Sequence, residues 1–188
     1  MVVRVLCISY YIRFSQHTIM PSVSIIMGSS SDWPKIKNCA LILKEFGVEF
    51  DVRVFSAHRT PKALEAFVKS APERGVKAIL AAAGGAAHLA GVIASMTVLP
   101  VIGIPVETNL CGGLDSMLSM IQMPGDIPVA TVGVGSGGAK NAGILAVEIL
   151  ALSDPALLEK INQYRVKIAE KVNAMDEKLQ ETIKEELG

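Results

Sequence analysis

The residue types best suited to chemistry lie in one short segment, residues 56–61, where His58 and Arg59 stand side by side. Histidine can give and take protons near neutral pH, and arginine has a planar set of donors that grips a phosphate or carboxylate. The mainly apolar run 52–55 precedes the segment, and Pro61 is its last residue. This pattern predicts a strand, a loop and the first turn of a helix. A solvent-exposed loop without a function could have the same sequence pattern. The other loops of the chain are therefore needed to tell a functional site from such a loop.

A second candidate loop follows the first predicted strand, residues 22–27. It reads Gly28-Ser29-Ser30-Ser31-Asp32-Trp33 and precedes a predicted helix. Glycine allows a tight turn, and serine hydroxyls with the free N–H groups of a helix start can bind an anion. Serine and aspartate also favour helix caps, so capping alone is the competing interpretation.

A third loop, residues 83–89, follows the predicted strand at residues 77–83. It contains a glycine pair, Gly84 and Gly85, and a second histidine, His88. Paired glycines let the backbone approach a ligand closely. In open α/β sheets ligands bind beyond the carboxyl ends of the strands, so these loops predict one shared site.

The segment 133–138 fits G-x-G-x-x-G, but it is a weak signal for a dinucleotide. That fingerprint belongs on the first strand-to-helix turn, with an acidic residue at the end of the next strand. Here the segment follows the last predicted strand and not the first. The acidic residue at about the right distance, Asp154, begins the tail helix and does not end a strand. The chain also lacks a GxxxxGK[ST] phosphate loop. We therefore expect no cofactor.

Composition excludes several classes of protein. The 188 residues are 51% hydrophobic, which suits one domain with a sizeable core. The chain has 18 Lys+Arg, 18 Asp+Glu and 5% aromatic residues, which is atypical of a nucleic-acid binder. Cys7, Cys39 and Cys111 have no metal-ligand spacing, and neither do the three histidines, so we expect no metal and a reduced, cytoplasmic setting. No uninterrupted apolar stretch is long enough to predict a membrane span.

Strands and helices alternate from residue 22 to residue 152, which predicts a three-layer α/β domain over residues 20–152. We expect a parallel sheet with right-handed crossovers and flavodoxin-like strand order. The predicted strands are residues 22–27, 48–55, 77–83, 101–106 and 128–134. The predicted helices are residues 33–46, 61–73, 89–96, 114–121 and 139–152.

The two ends of the chain differ from this domain. Residues 153–188 carry apolar side chains every three or four positions, which predicts a long amphipathic helix of about 50 Å. Such a helix exceeds the width of the domain, so we expect it to bind a neighbouring subunit. The alternative is a tail of which only the first half packs on the domain.

Residues 1–19 are apolar, but Arg13 interrupts what would be a signal-peptide core. We expect the native protein to start at Met20, with residues 1–19 outside the fold; an extra strand or arm is the alternative.

Together the loops resemble those of the N5-carboxyaminoimidazole ribonucleotide mutase family, the class I catalytic subunit of bacterial phosphoribosylaminoimidazole carboxylase. The match covers about residues 22–152, and several motifs recur in the family's order. Ala90 departs from the family pattern, because many members have proline at this position. We expect this difference to change the stiffness of the loop and not the chemistry. The matching segments are residues 28–33, 56–61, 83–89, 115–116, 122–124 and 140–142.

This resemblance implies conversion of N5-carboxyaminoimidazole ribonucleotide to 4-carboxy-5-aminoimidazole ribonucleotide in de novo purine synthesis. His58 matches the family's general acid/base, which would protonate the departing nitrogen and then remove the ring-carbon proton after recarboxylation. The first loop and Arg59 would hold the ribose phosphate, and the third loop would lie over the base and carboxylate. The expected substrate-binding residues are Ser29, Ser31, Asp32, Ser56, Arg59, Gly84, His88 and Leu89.

The resemblance also implies partners. They are the small phosphorylated nucleotide substrate, seven further copies of the chain in a homo-octamer, and, transiently, the ATP-dependent synthetase that supplies the carbamate. No nucleic acid and no membrane are expected. Two alternatives remain open at this point. One is direct carboxylation of aminoimidazole ribonucleotide with carbon dioxide, and the other is a non-catalytic flavodoxin-like module that binds a nucleotide or flavin.

Overall fold

Five strands, seven α-helices and one 3-10 turn at Ser30–Asp32 make up residues 20–188, which are the residues that this computed structural model describes. The predicted extension, residues 1–19, lies outside the described residues. In chain order the elements are β1 (Val23–Met27), α1 (Trp33–Ile36), α2 (Asn38–Phe46), β2 (Phe50–Val54), α3 (Pro61–Lys69), β3 (Ala78–Ala83), α4 (Leu89–Ala94), β4 (Val101–Pro105), α5 (Leu114–Ile121), β5 (Ala130–Thr131), α6 (Gly135–Ala151) and α7 (Pro155–Leu187).

The strands form one parallel sheet in the order β2-β1-β3-β4-β5, which confirms the predicted flavodoxin-like fold. Every residue of β1, β3 and β4 is buried. Their continuous runs of aliphatic and small side chains suit strands that are covered on both faces. The outer strands β2 and β5 are only partly buried.

Helices cover both faces of the sheet and form two separate hydrophobic clusters. On one face α1, α2, α6 and the start of α7 enclose side chains such as Ile25 and Leu80. On the other face α3, α4 and α5 enclose Ile26, Ile79 and Ala81. Successive strand residues therefore point to opposite clusters, as the pleat of a strand requires.

Several element bounds differ from the sequence prediction. The helix predicted at 33–46 is interrupted at Lys37, which keeps a helical backbone between α1 and α2. Helix α3 ends at Lys69 and not at residue 73, because Pro72 disfavours a helical conformation in the residue before it. Strand β5 has two residues and not seven, because only Ala130 and Thr131 pair in register with β4, and one further bond, from the Val132 N–H to the Gly103 carbonyl, ends the pairing.

Helix α7 confirms the predicted long terminal helix, with 33 residues. The Asp154 carboxylate accepts hydrogen bonds from the N–H groups of Ala156 and Leu157 and so begins the helix. Leu157 and Ile161 are buried against the domain. Further along, five apolar side chains that continue the same stripe are between 38% and 62% exposed; they are Ile168, Val172, Met175, Leu179 and Ile183.

The contact between α2 and α6 depends on Gly143. A Cβ atom at this position would overlap the side chain of Ile42 and lie 2.7 Å from the carbonyl oxygen of Cys39. We predict that Gly143→Ala lowers the free energy of unfolding by about 1–3 kcal/mol, the usual cost of overpacking a core. Gly137→Ala is the matched control in the same helix, because no described atom lies within 4 Å of its added Cβ.

Chemical denaturation of both variants measures the difference. The control should be neutral or slightly stabilised, because alanine is the better helix former. Equal stability of the two variants would show that α2 and α6 do not approach as closely as the structure indicates.

Candidate active site

A cleft of about 510 Å³ lies at the carboxyl edge of the sheet, where β2, β1, β3 and β4 end. Its walls are the loops that follow these four strands. The loop after β5 does not contribute to it. The lining residues are Gly28, Ser29, Asp32, Lys35, Ser56, Ala57, His58, Arg59, Ala83, Gly84, Ala86, His88, Leu89, Val106, Glu107, Thr108 and Asn109.

The loop after β2 is closed by its own side chains. Ser56 N–H donates to Thr60 Oγ1 at 3.0 Å, and Thr60 Oγ1 donates back to the Ser56 carbonyl at 3.1 Å. Ser56 Oγ accepts from the Arg59 backbone N–H at 3.2 Å and from Arg59 Nε at 3.4 Å. The Arg59 guanidinium also reaches the Gly28 carbonyl at 3.3 Å. The guanidinium is thus held between the loops of β1 and β2.

The loop after β1 contributes hydroxyls and charge. Ser29 Oγ lies 2.7 Å from Ser31 Oγ and accepts from the Ser31 N–H at 3.3 Å. Partial burial raises the pKa of the Asp32 carboxyl, an effect that a hydrogen bond with the Ser29 backbone and the charge of Lys35 oppose. Lys35 Nζ donates to the Glu107 carbonyl at 2.7 Å and so ties this loop to the one after β4.

The loop after β3 is held from below by two serines of α5. Ser116 is fully buried; its Oγ accepts from the Gly85 N–H at 3.0 Å and donates to the Val106 carbonyl at 2.7 Å. Ser119 Oγ accepts from the Ala87 N–H at 3.2 Å. These bonds fix the backbone directly before His88.

The two histidines of the cleft touch each other. His58 Nε2 lies 3.1 Å from His88 Nδ1, and the ring planes meet at 84°. A hydrogen bond between two imidazoles requires one nitrogen to donate and the other to accept. The loops after β2 and β3 are therefore joined across the end of β1.

The structure brings together all the predicted site residues but one. Ser31 supports Ser29 and does not itself line the cleft. Sequence reasoning missed Lys35 and the segment 107–109, which follows β4. Because β4 pairs with β3, the rule that ligands bind at carboxyl strand ends would have pointed to that segment.

The glycine-rich segment 133–138 lies apart from the cleft and has a packing role. A Cβ at Gly138 would overlap the carbonyl of Gly133. Glycine here allows α6 to begin tightly against the chain that precedes it. This explains why the helix begins at Gly135 and not at the predicted residue 139.

Residues 20–188 contain neither a cluster of metal-binding side chains nor a helix suited to a membrane. No three or more histidine, cysteine, aspartate or glutamate side chains in this part of the chain are grouped to hold a metal ion. Among the described helices, none combines the length and apolar composition that a membrane crossing needs.

Comparison with known proteins identifies the family. A family model described as AIR carboxylase matches residues 22–171. The chain belongs to the AIR carboxylase family. The N5-carboxyaminoimidazole ribonucleotide mutase of Pyrococcus abyssi is 53% identical over 146 residues, which are 78% of this chain and 83% of that protein. The protein of the same name from Thermotoga maritima is 49% identical over 162 residues, 86% and 94% of the two chains.

A solved structure agrees with this placement in the AIR carboxylase family. The crystal structure of Treponema denticola PurE superimposes with a TM-score of 0.77 and 31% sequence identity. The match covers 85% of this chain and 98% of that one. The resemblance that the loop motifs indicated is therefore confirmed.

The Ser116 hydroxyl offers a test of how the third loop is positioned. Ser116→Ala would leave the Gly85 N–H and the Val106 carbonyl without this partner. We predict a loss of about 1–3 kcal/mol in the free energy of unfolding, the cost of unpaired buried polar groups. Ser95→Ala, at an exposed hydroxyl that only bonds the Val92 carbonyl, is the control and should cost less than about 0.5 kcal/mol. Denaturant titration of both variants measures the two free energies of unfolding. Equal losses of stability in the two variants would contradict a special role for Ser116.

Proposed function

We propose that this chain is an isomerase that converts N5-carboxyaminoimidazole ribonucleotide to 4-carboxy-5-aminoimidazole ribonucleotide in purine synthesis. The observation that carries the proposal is one cleft that joins an imidazole, His58, to a guanidinium, Arg59, in a family whose named relatives are mutases for this conversion. An imidazole can move protons, and a guanidinium can hold the phosphate of a nucleotide.

The phosphate end of the substrate fits the loops after β1 and β2. Arg59 and Lys35 supply positive charge, and Ser29 supplies a hydroxyl donor. The Asp32 carboxylate can accept hydrogen bonds from ribose hydroxyls. We assign Ser31 and Ser56 to shaping these loops, because their hydroxyls bond Ser29 and Arg59.

The base and its carboxylate fit the loop after β3, where Gly84, His88 and Leu89 line the cleft. In the reaction the carbamate C–N bond breaks, and the nitrogen keeps the electron pair and takes a proton from His58. The ring carbon then attacks the released carbon dioxide, and the proton of that carbon returns to His58. No proton is gained or lost overall. The cleft must stay closed to water during these steps, because carbon dioxide would otherwise escape.

A flavin- or nucleotide-binding module has less support. Among the described residues that line the cleft, none is Phe, Tyr or Trp, so a flat ring would find no aromatic surface to stack on. Direct carboxylation would use the same cleft, and the names of the relatives favour the mutase.

We also propose that the enzyme assembles with copies of itself, with the octamer as the number that the family resemblance implies. The support is α7, whose stripe of apolar side chains continues beyond the last contact with its own domain. Burying such side chains is worth about 1.5–3 kcal/mol each. We place the enzyme in the cytoplasm, because the two cysteines among the described residues, Cys39 and Cys111, are free thiols, as is usual in a reducing compartment.

One prediction from the proposed function separates substrate binding from proton transfer. The purified protein should turn over the carbamate without ATP or an added cofactor. His58→Asn should leave substrate affinity nearly intact and lower kcat by about 10²- to 10⁴-fold, because asparagine cannot shuttle a proton near neutral pH. Arg59→Ala should instead weaken affinity by roughly 10- to 100-fold, the cost of a lost charged hydrogen bond.

Calorimetry and product formation measure the two effects. Arg53→Ala is the control, because Arg53 lies on β2 outside the cleft and stacks on Phe55 and Phe67. Near-normal kcat in His58→Asn would exclude His58 as the acid/base. Failure of the unaltered protein to turn over the carbamate would refute the proposed activity itself.

Another prediction concerns the assembly of the enzyme. The double variant Ile168→Glu/Met175→Glu places charges on the exposed apolar stripe and leaves Leu157 and Ile161 in place. We expect it to dissociate into smaller species, seen as a lower mass by light scattering. The control Asn173→Glu/Gln180→Glu adds the same two negative charges at exposed polar positions of α7 and should keep the native mass. An unchanged mass in the stripe variant would show that α7 does not hold the assembly together.

A further inference from the structure

We propose that His88 is a positioning residue that holds His58 by accepting a hydrogen bond, so that Nδ1 of His58 is the nitrogen that exchanges the proton with the substrate. The proposal rests on the proposed function, in which His58 is the acid/base. The observation behind it is the contact between His58 Nε2 and His88 Nδ1 at 3.1 Å.

The direction of this hydrogen bond follows from the protonation states that the reaction needs. When His58 is protonated, both of its nitrogens are donors, so Nε2 can only donate and His88 Nδ1 must accept. Once His58 has given its other proton to the substrate, Nε2 still carries its own. The same bond thus serves both states without any movement of either ring. The reverse arrangement, with His88 as donor, would have to break each time His58 takes up a proton.

The loop that carries His88 is built to hold a ring in place. Its backbone is tied to α5 at Ala87, and the residues on either side of His88, Ala87 and Leu89, are buried. His58 lies in a loop that the Ser56–Thr60 bonds close. Two anchored loops therefore present the two rings to each other. An imidazole with a fixed hydrogen-bond partner on one nitrogen can present its other nitrogen to the substrate. In the Ser-His-Asp triad the aspartate orients the histidine in the same way.

The proton path is then confined to one nitrogen. Nδ1–H of His58 gives its proton to the departing nitrogen as the carbamate C–N bond breaks. After the ring carbon has bonded to carbon dioxide, the bare Nδ1 accepts the proton of that carbon. His88 changes neither its charge nor its tautomer during the cycle.

Substitution of His88 by asparagine or by glutamine tests which of its two ring nitrogens is needed. The amide group of asparagine lies near the place of Nδ1 of histidine, and that of glutamine lies near the place of Nε2. We expect kcat of His88→Gln to fall roughly 10- to 100-fold below that of His88→Asn, the range found when a metal-binding imidazole loses the partner that orients it. KM should differ little between the two. The opposite order, with Gln more active than Asn, would mean that His88 acts on the substrate through Nε2 and would overturn the proposal.

Nitrogen-15 NMR of the full chain gives a readout that does not depend on activity. In the neutral state we expect Nε2 of His58 to carry the proton in the unaltered protein and in His88→Asn, with tautomer exchange in His88→Gln. The His58→Asn variant assigns the signals, since the chain has three histidines. A proton on Nδ1 of neutral His58 in the unaltered protein would refute the proposal even if the enzyme turns over. Turnover that fails with the expected tautomer present would instead refute the proposed function.

Discussion

The parallel pairing of β2, β1 and β3 is the constraint on which the site depends. The register aligns Met27 with Val54 on one side and with Ala82 on the other, so the three strands end at the same level. The chain must leave each strand at that level and turn toward a helix. The three loops therefore lie at one edge of the sheet, and the loop after β1 lies between those after β2 and β3. The ladder hydrogen bonds hold this alignment together with close packing on both faces, because a shift of one residue would exchange the side chains that fill the two hydrophobic clusters.

Much of the fold could be predicted because its signals are local and repeated. The runs that became β1, β3 and β4 are apolar throughout, as strands covered on both faces must be, and the spacing of apolar residues in α7 is helical over its whole length. The error at β5 lies where a distant contact decides, because only Ala130 and Thr131 pair with β4 and the residues around them do not show this. The error at α6 is local. The helix begins early where Gly138 packs against Gly133, a contact that the glycine spacing permits but does not by itself predict.

The candidate site was predictable wherever its residues carry unusual chemistry. His58 and Arg59 stand out by type and place, and so do the glycine pair and His88. Lys35 and the segment 107–109 carry no such mark, because a lysine in a helix and polar residues in a loop are ordinary. Only the strand order shows that they face the same cleft. The bond between His58 and His88 likewise follows from β1 lying between two other strands, since thirty residues separate the two rings in the chain.

The central claim is that the carboxylate moves within one substrate molecule inside a closed cleft. The most direct test is an isotope experiment, with carbon-13 in the carbamate carboxylate and an excess of unlabelled bicarbonate in the solution. The account predicts that the ring carboxylate of the product keeps the label, because the released carbon dioxide does not leave the cleft before the ring carbon attacks it. An unlabelled product would contradict the account. It would show that carbon dioxide from solution is the substrate and that the chain is a direct carboxylase.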